Sequence, residues 1–449
     1  MTAPARTAAF QALQAIAAER IDLPSALARS RAQLKDERDR ALTAEIVNGT
    51  LRWQHALDHI AQHVAGRSPA KIDLDVLIIL RLSLYQILHL ARVPAAAVVD
   101  DAVDLTKAAR KRSAAAFVNA VLRSTLRQRH RLPLPPRPVD VSDRQAALAY
   151  LSITHSHPEW LVRRWLDRYG FVDLERWVRF NNDPPRLTLR ANRLRGSREE
   201  VARILAAEGI ETQPTRYAPD GLVVTAGNPL ARAMDGRFVV QDEASQLVAL
   251  VVAARPGQRV LDLCAAPGNK TTAMAADMSD DGLIVACDVR SRRIALLQRT
   301  VALSGARRTR VVLADARGSL PFRPLFDRVL VDVPCSGLGT IRRDPDIRWR
   351  RREADLPIFA RDQLTVLMDA SEALNPGGRL VYATCSSEPE ENESVVDAFL
   401  RARPEFHAVD LRKSGSPLLR PMLDHRGMFH TLPFEHGLEA FFAAALVRS

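Results

Sequence analysis

The stretch RVLDLCAAPGNKTTAMAADMSDDGLIVACD, residues 259–288, decides the fold of the C-terminal half of the chain. It places an apolar strand before a turn of small residues, a helical segment and a second apolar strand, which is the pattern of a βαβ unit. The alternation continues through RVVLAD, RVLVDVP and RLVYATC, with a long helical segment near 356–374. Runs that are apolar throughout predict a parallel sheet buried on both faces. From about Gly236 we therefore expect an α/β, Rossmann-like domain, with EAFFAAALVR as a final strand paired antiparallel at the sheet edge.

The sequence before this domain has a different periodicity. Residues 1–131 carry one helical pattern after another and predict an all-α domain. Four prolines between 132 and 140 exclude a helix or a central strand, so this segment is expected to be an extended linker. Residues 141–235 begin with helical patterns and continue with short strand and helix signals, which indicates a small α+β module. The α/β domain then occupies 236–449.

The composition of the chain excludes several classes of protein. The chain has 449 residues, 47% of them hydrophobic, and 64 Lys and Arg against 52 Asp and Glu give a formal charge of +12. These values exclude a disordered or fibrous protein, and no apolar run is long enough to predict a membrane span. The excess is mostly Arg, which favours a polyanionic partner, although an Arg-rich proteome would give the same excess. The four cysteines lack metal-ligand spacing, so we expect no metal and reduced thiols in the cytoplasm.

Three turns at the carboxyl ends of predicted strands could hold a nucleoside cofactor. The loop 264–270 offers small residues that let a ligand approach the backbone, Asp288 ends the next strand, and Asp315 ends the strand after it. An Asp at a strand end can equally be a helix cap, and the loop can be a tight turn without ligand. Neither GxGxxG nor GxxxxGK[ST] is present. Without phosphate-binding glycines, the pattern points to S-adenosylmethionine, whose sulfonium end carries no phosphate.

Two further strand ends carry thiols. VDVPCSGLGT and VYATCS place Asp332, Cys335 and Cys385 after two strands that we expect to be neighbours. Single cysteines are most often small buried hydrophobes, and a disulfide is another alternative. Two thiols among small and polar residues at the same sheet edge instead favour a nucleophile.

The strings VLDLCAAPGNKTT, VDVPCSGLGT and VYATCS resemble the signature loops of the RNA cytosine-C5 methyltransferases, the NOL1/NOP2/Sun family. The helical N-terminus, with RDRALTAEIVNGTLRW and SAAAFVNAVLR, resembles the NusB-like RNA-binding domain that is fused to a bacterial branch of this family. SHPEWLVRRW, RLTLRANR and VVQDEASQL resemble the region before the family's catalytic domain. The resemblance covers the whole chain.

This resemblance implies an enzyme that forms 5-methylcytosine in 16S ribosomal RNA, at position 967, with S-adenosyl-L-methionine as methyl donor. It implies that Cys385 attacks C6 of the base, that Asp332 holds the N3 and N4 edge with help from Lys270, and that Cys335 assists product release. The partner would be 16S rRNA, with no membrane and no metal, and the chain would act as a monomer. The residues implied for the cofactor are Cys264, Ala265, Ala266, Pro267, Gly268, Asn269, Lys270, Asp288, Asp315 and Asp332.

The chain departs from the family pattern at two places. Asn269 stands where the family usually has a second glycine before the lysine, and because Asn tolerates positive φ we expect the turn to survive. Near the C-terminus, 438–440 are Leu-Glu-Ala where the family tends to have Gly-Asp-Gly, which leaves the local turn open.

Two Arg-rich segments could contact RNA. IRRDPDIRWRRR, residues 341–352, places six arginines around Trp349 and predicts phosphate contact with base stacking, with a solvated charged helix as the alternative. LRSTLRQRHR could track RNA or be an exposed helix end. Two other functions stay open: a NusB-like RNA or protein binding module with an inactive methyltransferase domain, and the same chemistry on tRNA.

Overall fold

The computed structural model describes residues 2–230, 235–318 and 320–449. These residues form two compact units. The first unit contains the chain up to Pro184 together with Ile341–Arg351, and the second contains Pro185–Thr340 and Arg352–Ser449. Within the described residues, none of the helices combines the length and the hydropathy that a membrane span requires.

The first unit is helical, as predicted. Its helices before Pro184 are α1 (Pro4–Ala17), α2 (Leu23–Gln33), α3 (Glu37–Arg52), α4 (Gln54–Ala65), α5 (Leu74–His89), α6 (Ala95–Ala108), α7 (Ala115–Gln128), α8 (Arg144–Ala149) and α9 (Glu159–Asn182), the last broken at Gly170. Helix α5 is apolar on nearly all sides, so it lies at the centre and packs against α1, α3, α4, α6 and α7. Its start is fixed by Asp73, whose carboxylate accepts the backbone N–H groups of Asp75 and Val76. Residues 132–140 contain neither helix nor strand.

A small antiparallel sheet opens the second unit. Its elements are β1 (Thr188–Ala191), α10 (Arg198–Ala207), β2 (Glu211–Pro214), β3 (Gly221–Ala226) and β4 (Phe238–Val240), with strand order β2-β3-β1-β4. Helix α10 begins with a capping box, in which the Ser197 hydroxyl and the Glu200 carboxylate each accept the other residue's backbone N–H. Leu189, Val201 and Phe238 belong to the core between helix and sheet.

A larger sheet follows in the same unit. Its strands are β5 (Arg259–Leu263), β6 (Leu283–Asp288), β7 (Thr309–Leu313), β8 (Phe326–Asp332), β9 (Leu374–Thr384), β10 (Phe406–Ala408), β11 (Phe429–Thr431) and β12 (Phe441–Arg448). The helices along this part of the chain are α11 (Glu243–Val252), α12 (Asn269–Asp277), α13 (Ser291–Ser304), α14 (Ile347–Arg350), α15 (Leu356–Ser371), α16 (Glu393–Ala402), α17 (Leu411–Ser414) and α18 (Pro433–His436), of which α14 lies in the first unit.

The strand order is β10-β12-β9-β8-β5-β6-β7, with β5 to β9 parallel and β12 antiparallel to β9. Both sheet faces are apolar: Val260 of β5 packs into the core with α11 to α13, while its neighbour Leu261 packs into the core with α15 and α16. This is the doubly wound architecture that the sequence predicts. The carboxyl ends of β5 to β9 therefore meet along one edge.

The expectation that the last strand lies at the sheet edge is wrong. Strand β12 lies between β9 and β10, and β11 also pairs with it. Strands β10 and β11 have three residues each, too short to show an alternation in the sequence. They cover backbone groups of the long apolar strand β12 that would otherwise be exposed.

Candidate active site

The turn between β5 and α12 is tied to the end of β6. Cys264 and Gly268 adopt left-handed backbone conformations, with φ of 62° and 104°. The Ala265 N–H donates to the Cys287 carbonyl at 2.8 Å, and the Ala266 N–H donates to the carboxylate of Asp288 at 3.3 Å. A Cβ on Gly268 would lie 2.8 Å from Leu297 Cδ1, so both φ and space require glycine here.

A cleft of about 260 Å³ opens beside this turn. Of the predicted cofactor residues, Cys264, Asp288 and Asp315 line it, while 265–268 form the turn next to it and Asn269 and Lys270 begin α12. Its other walls include Val289, Ala314 and Val366, and the Asp288 carboxylate is almost fully buried. Apolar walls for an adenine ring and carboxylates for ribose hydroxyls fit a nucleoside without phosphate, so the residues present fit the expected cofactor.

Asn269 does not take the positive φ that we expected it to tolerate. Gly268 takes it instead and precedes the helix, and Asn269 is the first residue of α12. Its side-chain amide donates to the Val240 carbonyl at 3.0 Å. The departure from the family pattern is therefore accommodated in a helical position.

Lys270 and Asp332 form a close ion pair. Lys270 follows the cofactor turn on α12 and Asp332 is the last residue of β8, and the ammonium donates to Asp332 Oδ2 at 2.6 Å. Burial alone lowers the pKa of Lys270, but the charge and hydrogen bond of Asp332 outweigh it and raise that pKa. The negative charge of a Cys385 thiolate adds to the same effect. Lys270 is therefore a fixed positive charge that Asp332 and Cys385 share.

The two thiols of the neighbouring strands lie side by side. Cys335 follows β8, Cys385 follows β9, and their sulfur atoms are 3.2 Å apart. Both are partly exposed and neither forms a disulfide. The hydrogen bond with Cys385, and then burial, raise the pKa of Cys335 well above its usual value. Cys335 thus holds its proton more firmly than an ordinary thiol.

The cysteine loops also touch the C-terminal turn. The Gly339 N–H donates to the Cys385 carbonyl at 3.0 Å, and the Gly339 carbonyl accepts from Ala440 at 3.1 Å. A Cβ on Gly339 would lie 2.0 Å from the Ala440 oxygen. The Thr431 hydroxyl completes the turn by donating to the Glu439 carbonyl and accepting from the Phe441 N–H. The Leu-Glu-Ala sequence at 438–440 therefore forms an ordered turn without the family's glycines.

Sequence reasoning missed two buried carboxylates near these loops. Asp262 lies inside β5 and accepts from the Thr271 hydroxyl at 2.5 Å, and burial first of all raises its pKa to about 7. Glu391 is fully buried and accepts hydrogen bonds from Ser336 and Ser386, which follow the two cysteines. An acid within an apolar strand was a usable signal for Asp262. Glu391 gave none, because it stands in an acidic stretch that is typical of a solvated surface.

Neither phosphate contact nor a solvated charged helix describes Arg348, at the centre of the 341–352 segment. In the first unit Arg348 is fully buried and donates to the carbonyls of Arg52 and Ser156 and to the Asn182 side chain. The Trp349 indole N–H donates to the Leu51 carbonyl at 2.6 Å. Carbonyl oxygens replace water around the Arg348 guanidinium, so this side chain is not available for a phosphate.

Within the described residues, no group of three or more His, Cys, Asp or Glu side chains is arranged to hold a metal ion.

Three protein families match successive parts of the chain. The NusB family matches residues 3–127, a ferredoxin-like domain of RsmF/B-like methyltransferases matches 157–231, and the 16S rRNA methyltransferase RsmB/F family matches 249–447.

Curated relatives are similar over nearly their full length. The chain is 35% identical to the probable ribosomal RNA small subunit methyltransferase B of Bacillus subtilis, covering 92% of this chain and 91% of that one. It is 34% identical to the ribosomal RNA small subunit methyltransferase B of Pseudomonas putida, covering 95% and 97%. Among solved structures, the crystal structure of PH0851 has a TM-score of 0.82 at 26% identity, covering 100% of this chain and 99% of that one.

Proposed function

The chain belongs to the RsmB/F family of 16S rRNA methyltransferases, and on that premise we propose that it forms 5-methylcytosine in 16S rRNA through a covalent bond between Cys385 and C6 of the base. The observation that carries this proposal is the 3.2 Å approach of the Cys335 and Cys385 sulfurs at the sheet edge that also holds Lys270 and Asp332. One strand end then supplies a nucleophile, and its neighbour supplies a second thiol and a carboxylate.

The cofactor is S-adenosyl-L-methionine, which supplies the methyl group when bound. Cys264, Asp288 and Asp315 of the cleft would hold its adenosine part, with the carboxylate of Asp288 facing ribose hydroxyls. Arg293 closes one side, because its guanidinium donates to the Ala266 carbonyl at 2.6 Å and lies 3.5 Å from Asp288. These contacts keep the cleft formed next to the thiols.

Cys385 acts as the nucleophile. C5 of cytosine is a poor nucleophile until a group adds to C6 and pushes electron density onto C5, and a thiolate adds well. A thiolate at Cys385 would interact favourably with the positive charge of Lys270. Because C6 must reach a thiol within the protein, the base has to leave any stacked or paired arrangement first.

Asp332 binds the base. Lys270 holds its Oδ2 atom at 2.6 Å, which orients the carboxyl group so that Oδ1 can face the N3 and N4 edge of cytosine. Oδ1 accepts from the N4 amino group, and the positive charge of Lys270 beside it offsets the negative charge that develops in the ring when Cys385 adds to C6.

Cys335 serves the release step. After methylation C5 must lose a proton, and the electron pair of that bond then expels Cys385 from C6. Cys335 passes its own proton to the departing Cys385 sulfur, 3.2 Å away, and as a thiolate of raised pKa it takes up the proton from C5. Its sulfur lies close enough to Cys385 to act on the same base.

The test is a covalent trap. A 16S rRNA fragment carrying 5-fluorocytosine is incubated with S-adenosylmethionine and with wild type, Cys385→Ser or Cys335→Ser, and separated on a denaturing gel. Because fluorine cannot leave as a proton does, wild type and Cys335→Ser should give a slow-migrating adduct that Cys385→Ser lacks. Unsubstituted RNA should trap only Cys335→Ser. An adduct that persists in Cys385→Ser would refute the assignment of the nucleophile, and no adduct with any variant would favour a binding protein.

A further inference from the structure

The carboxylate of Glu391 is enclosed between the two cysteine loops. Glu391 ends the short turn Pro389–Glu391 and is fully buried. Moving a carboxylate out of water is strongly unfavourable unless donors replace the water. Within the part of the chain that the structure describes, no Lys or Arg forms an ion pair with Glu391, so neutral donors compensate its charge.

Those donors come from both loops. Oε1 accepts the Ser336 N–H at 2.8 Å and the Gln363 side-chain amide at 2.9 Å. Oε2 accepts the hydroxyls of Ser336 and Ser386, each at 2.5 Å. Ser336 directly follows Cys335, and Ser386 directly follows Cys385. One carboxylate therefore binds the residue after each thiol.

Neighbouring contacts hold this carboxylate in place. Gln363 of α15 also donates to the Pro334 carbonyl at 3.1 Å, and the Tyr382 hydroxyl of β9 donates to the Glu391 carbonyl at 2.5 Å. The two serine hydroxyls are 3.2 Å apart, the same separation as the two sulfurs. Because each serine and its cysteine are adjacent in the chain, fixing the serines restricts the separation of the sulfurs.

The negative charge of Glu391 also affects the protonation of Cys335. After the hydrogen bond with Cys385 and burial, the negative charges of Cys385 and Glu391 further raise the pKa of Cys335. A buried carboxylate next to Cys335 therefore helps to keep this thiol protonated.

We propose that Glu391 is a positioning residue that sets the distance between Cys335 and Cys385 by binding Ser336 and Ser386 at once. Its carboxylate is fully buried among donors from this chain, so it acts through the two loops. Its consequence for methylation rests on the proposed function, because only a reaction that uses both thiols on one base needs this distance.

The decisive variant is Glu391→Gln, with Glu390→Gln as its matched control on the same turn. Glutamine keeps the shape but places an NH₂ group against groups that already donate, so one side of the arrangement must open. Diamide oxidises two adjacent thiols to a disulfide, each thiol giving up one hydrogen while the azo group becomes a hydrazine. Mass spectrometry of the peptide pair containing Cys335 and Cys385 follows the rate without RNA. We expect Glu391→Gln to slow cross-linking about tenfold or more and Glu390→Gln to leave it unchanged.

Two further measurements separate positioning from folding. Alkylation of Cys385 by iodoacetamide and the affinity for S-adenosylmethionine should stay within about twofold of wild type in Glu391→Gln, while kcat falls and KM for RNA stays unchanged. Cross-linking at the wild-type rate in Glu391→Gln overturns the proposal. Should that variant not fold, Ser386→Ala against Ser387→Ala tests the same contact, and equal cross-linking in these two overturns it as well.

The two proposals fail separately. If wild type gives no adduct with 5-fluorocytosine but Glu391→Gln still slows cross-linking, the proposed chemistry is wrong and the positioning role stands. If the adduct forms and cross-linking does not depend on Glu391, the chemistry stands and the positioning role is wrong.

Discussion

The guanidinium of Arg348 donates a hydrogen bond of 2.8 Å to the main-chain carbonyl of Ser156, which lies 192 residues earlier in the chain. The same guanidinium donates hydrogen bonds to the Arg52 and Asn181 carbonyls, at 3.3 and 3.4 Å. A segment that enters the first unit late in the sequence thus satisfies carbonyl groups on several of its elements. Arg348 therefore links several elements of the first unit through buried hydrogen bonds.

Arg348→Met should destabilise the first unit by about 2–4 kcal/mol, because buried carbonyls then lose their donors. Urea unfolding followed by circular dichroism gives the free energy of unfolding. Arg352→Ala is the control, since Arg352 is exposed, and its effect should stay within about 0.5 kcal/mol. An Arg348→Met protein as stable as wild type would mean that the carbonyls find other donors.

Lys270→Met should slow formation of the 5-fluorocytosine adduct by about 10²- to 10³-fold, because Asp332 and Cys385 lose the positive charge that they share. Quenched time points on a denaturing gel measure this rate. Lys413→Met removes an exposed lysine on α17 and should react like wild type. Equal rates for the two variants would contradict a role of Lys270 in the chemistry.

Asn269→Gly should leave the affinity for S-adenosylmethionine within about twofold and lower the free energy of unfolding by about 1 kcal/mol. The reason is that Asn269 is a helical residue whose side chain binds the Val240 carbonyl, while Gly268 makes the turn. Titration calorimetry and thermal unfolding measure the two quantities. Gly268→Ala is the opposite case and should weaken cofactor binding strongly, since a Cβ there meets Leu297. A large gain in affinity in Asn269→Gly would show that asparagine distorts the site.

Asp262→Asn should change how stability depends on pH. Burial raises the folded-state pKa of Asp262 from 3.8 to about 7, so between these values the folded protein holds a proton that the unfolded chain has lost. This carboxyl group therefore makes wild type lose stability as the pH rises from about 4 to 7. Asparagine does not titrate, so the stability of Asp262→Asn relative to wild type should increase over that range by up to a few kcal/mol. Unfolding curves at pH 4.5 and 7.5 test this, and an unchanged difference would mean that Asp262 is ionised in the folded protein.

The fold could be predicted where the pattern is local. Apolar runs separated by helical segments predicted β5 to β9 and the helices between them. Each run consists of consecutive apolar residues, which by itself indicates a buried strand. The position of β12 could not be predicted, since its pairing with β10 depends on a strand of three residues. The domain limits at 131, 140 and 235 stay predictions.

The site was predictable to the extent that sheet topology determines it. Cys335 and Cys385 were expected to be neighbours because they follow adjacent parallel strands, and the structure places their sulfurs in contact. Their chemical roles stay predictions. Glu391 lies 55 residues from Ser336 in sequence, and nothing in either segment indicates the contact. The buried position of Arg348 could not be predicted for a related reason. A run of arginines indicates a charged segment, but it does not indicate which carbonyl groups will surround one of them.

The divided first unit also has a consequence for protein synthesis. A ribosome makes the chain from its N-terminus, and domains generally fold as they emerge. Residues up to Pro184 appear first, but Ile341–Arg351 follows only after Pro185–Thr340 has been translated. During that interval the carbonyls of Ser156 and Asn181 lack the donor that Arg348 later brings. The first unit can therefore complete its set of hydrogen bonds only after residues 341–351, which follow a long segment of the second unit, have been translated.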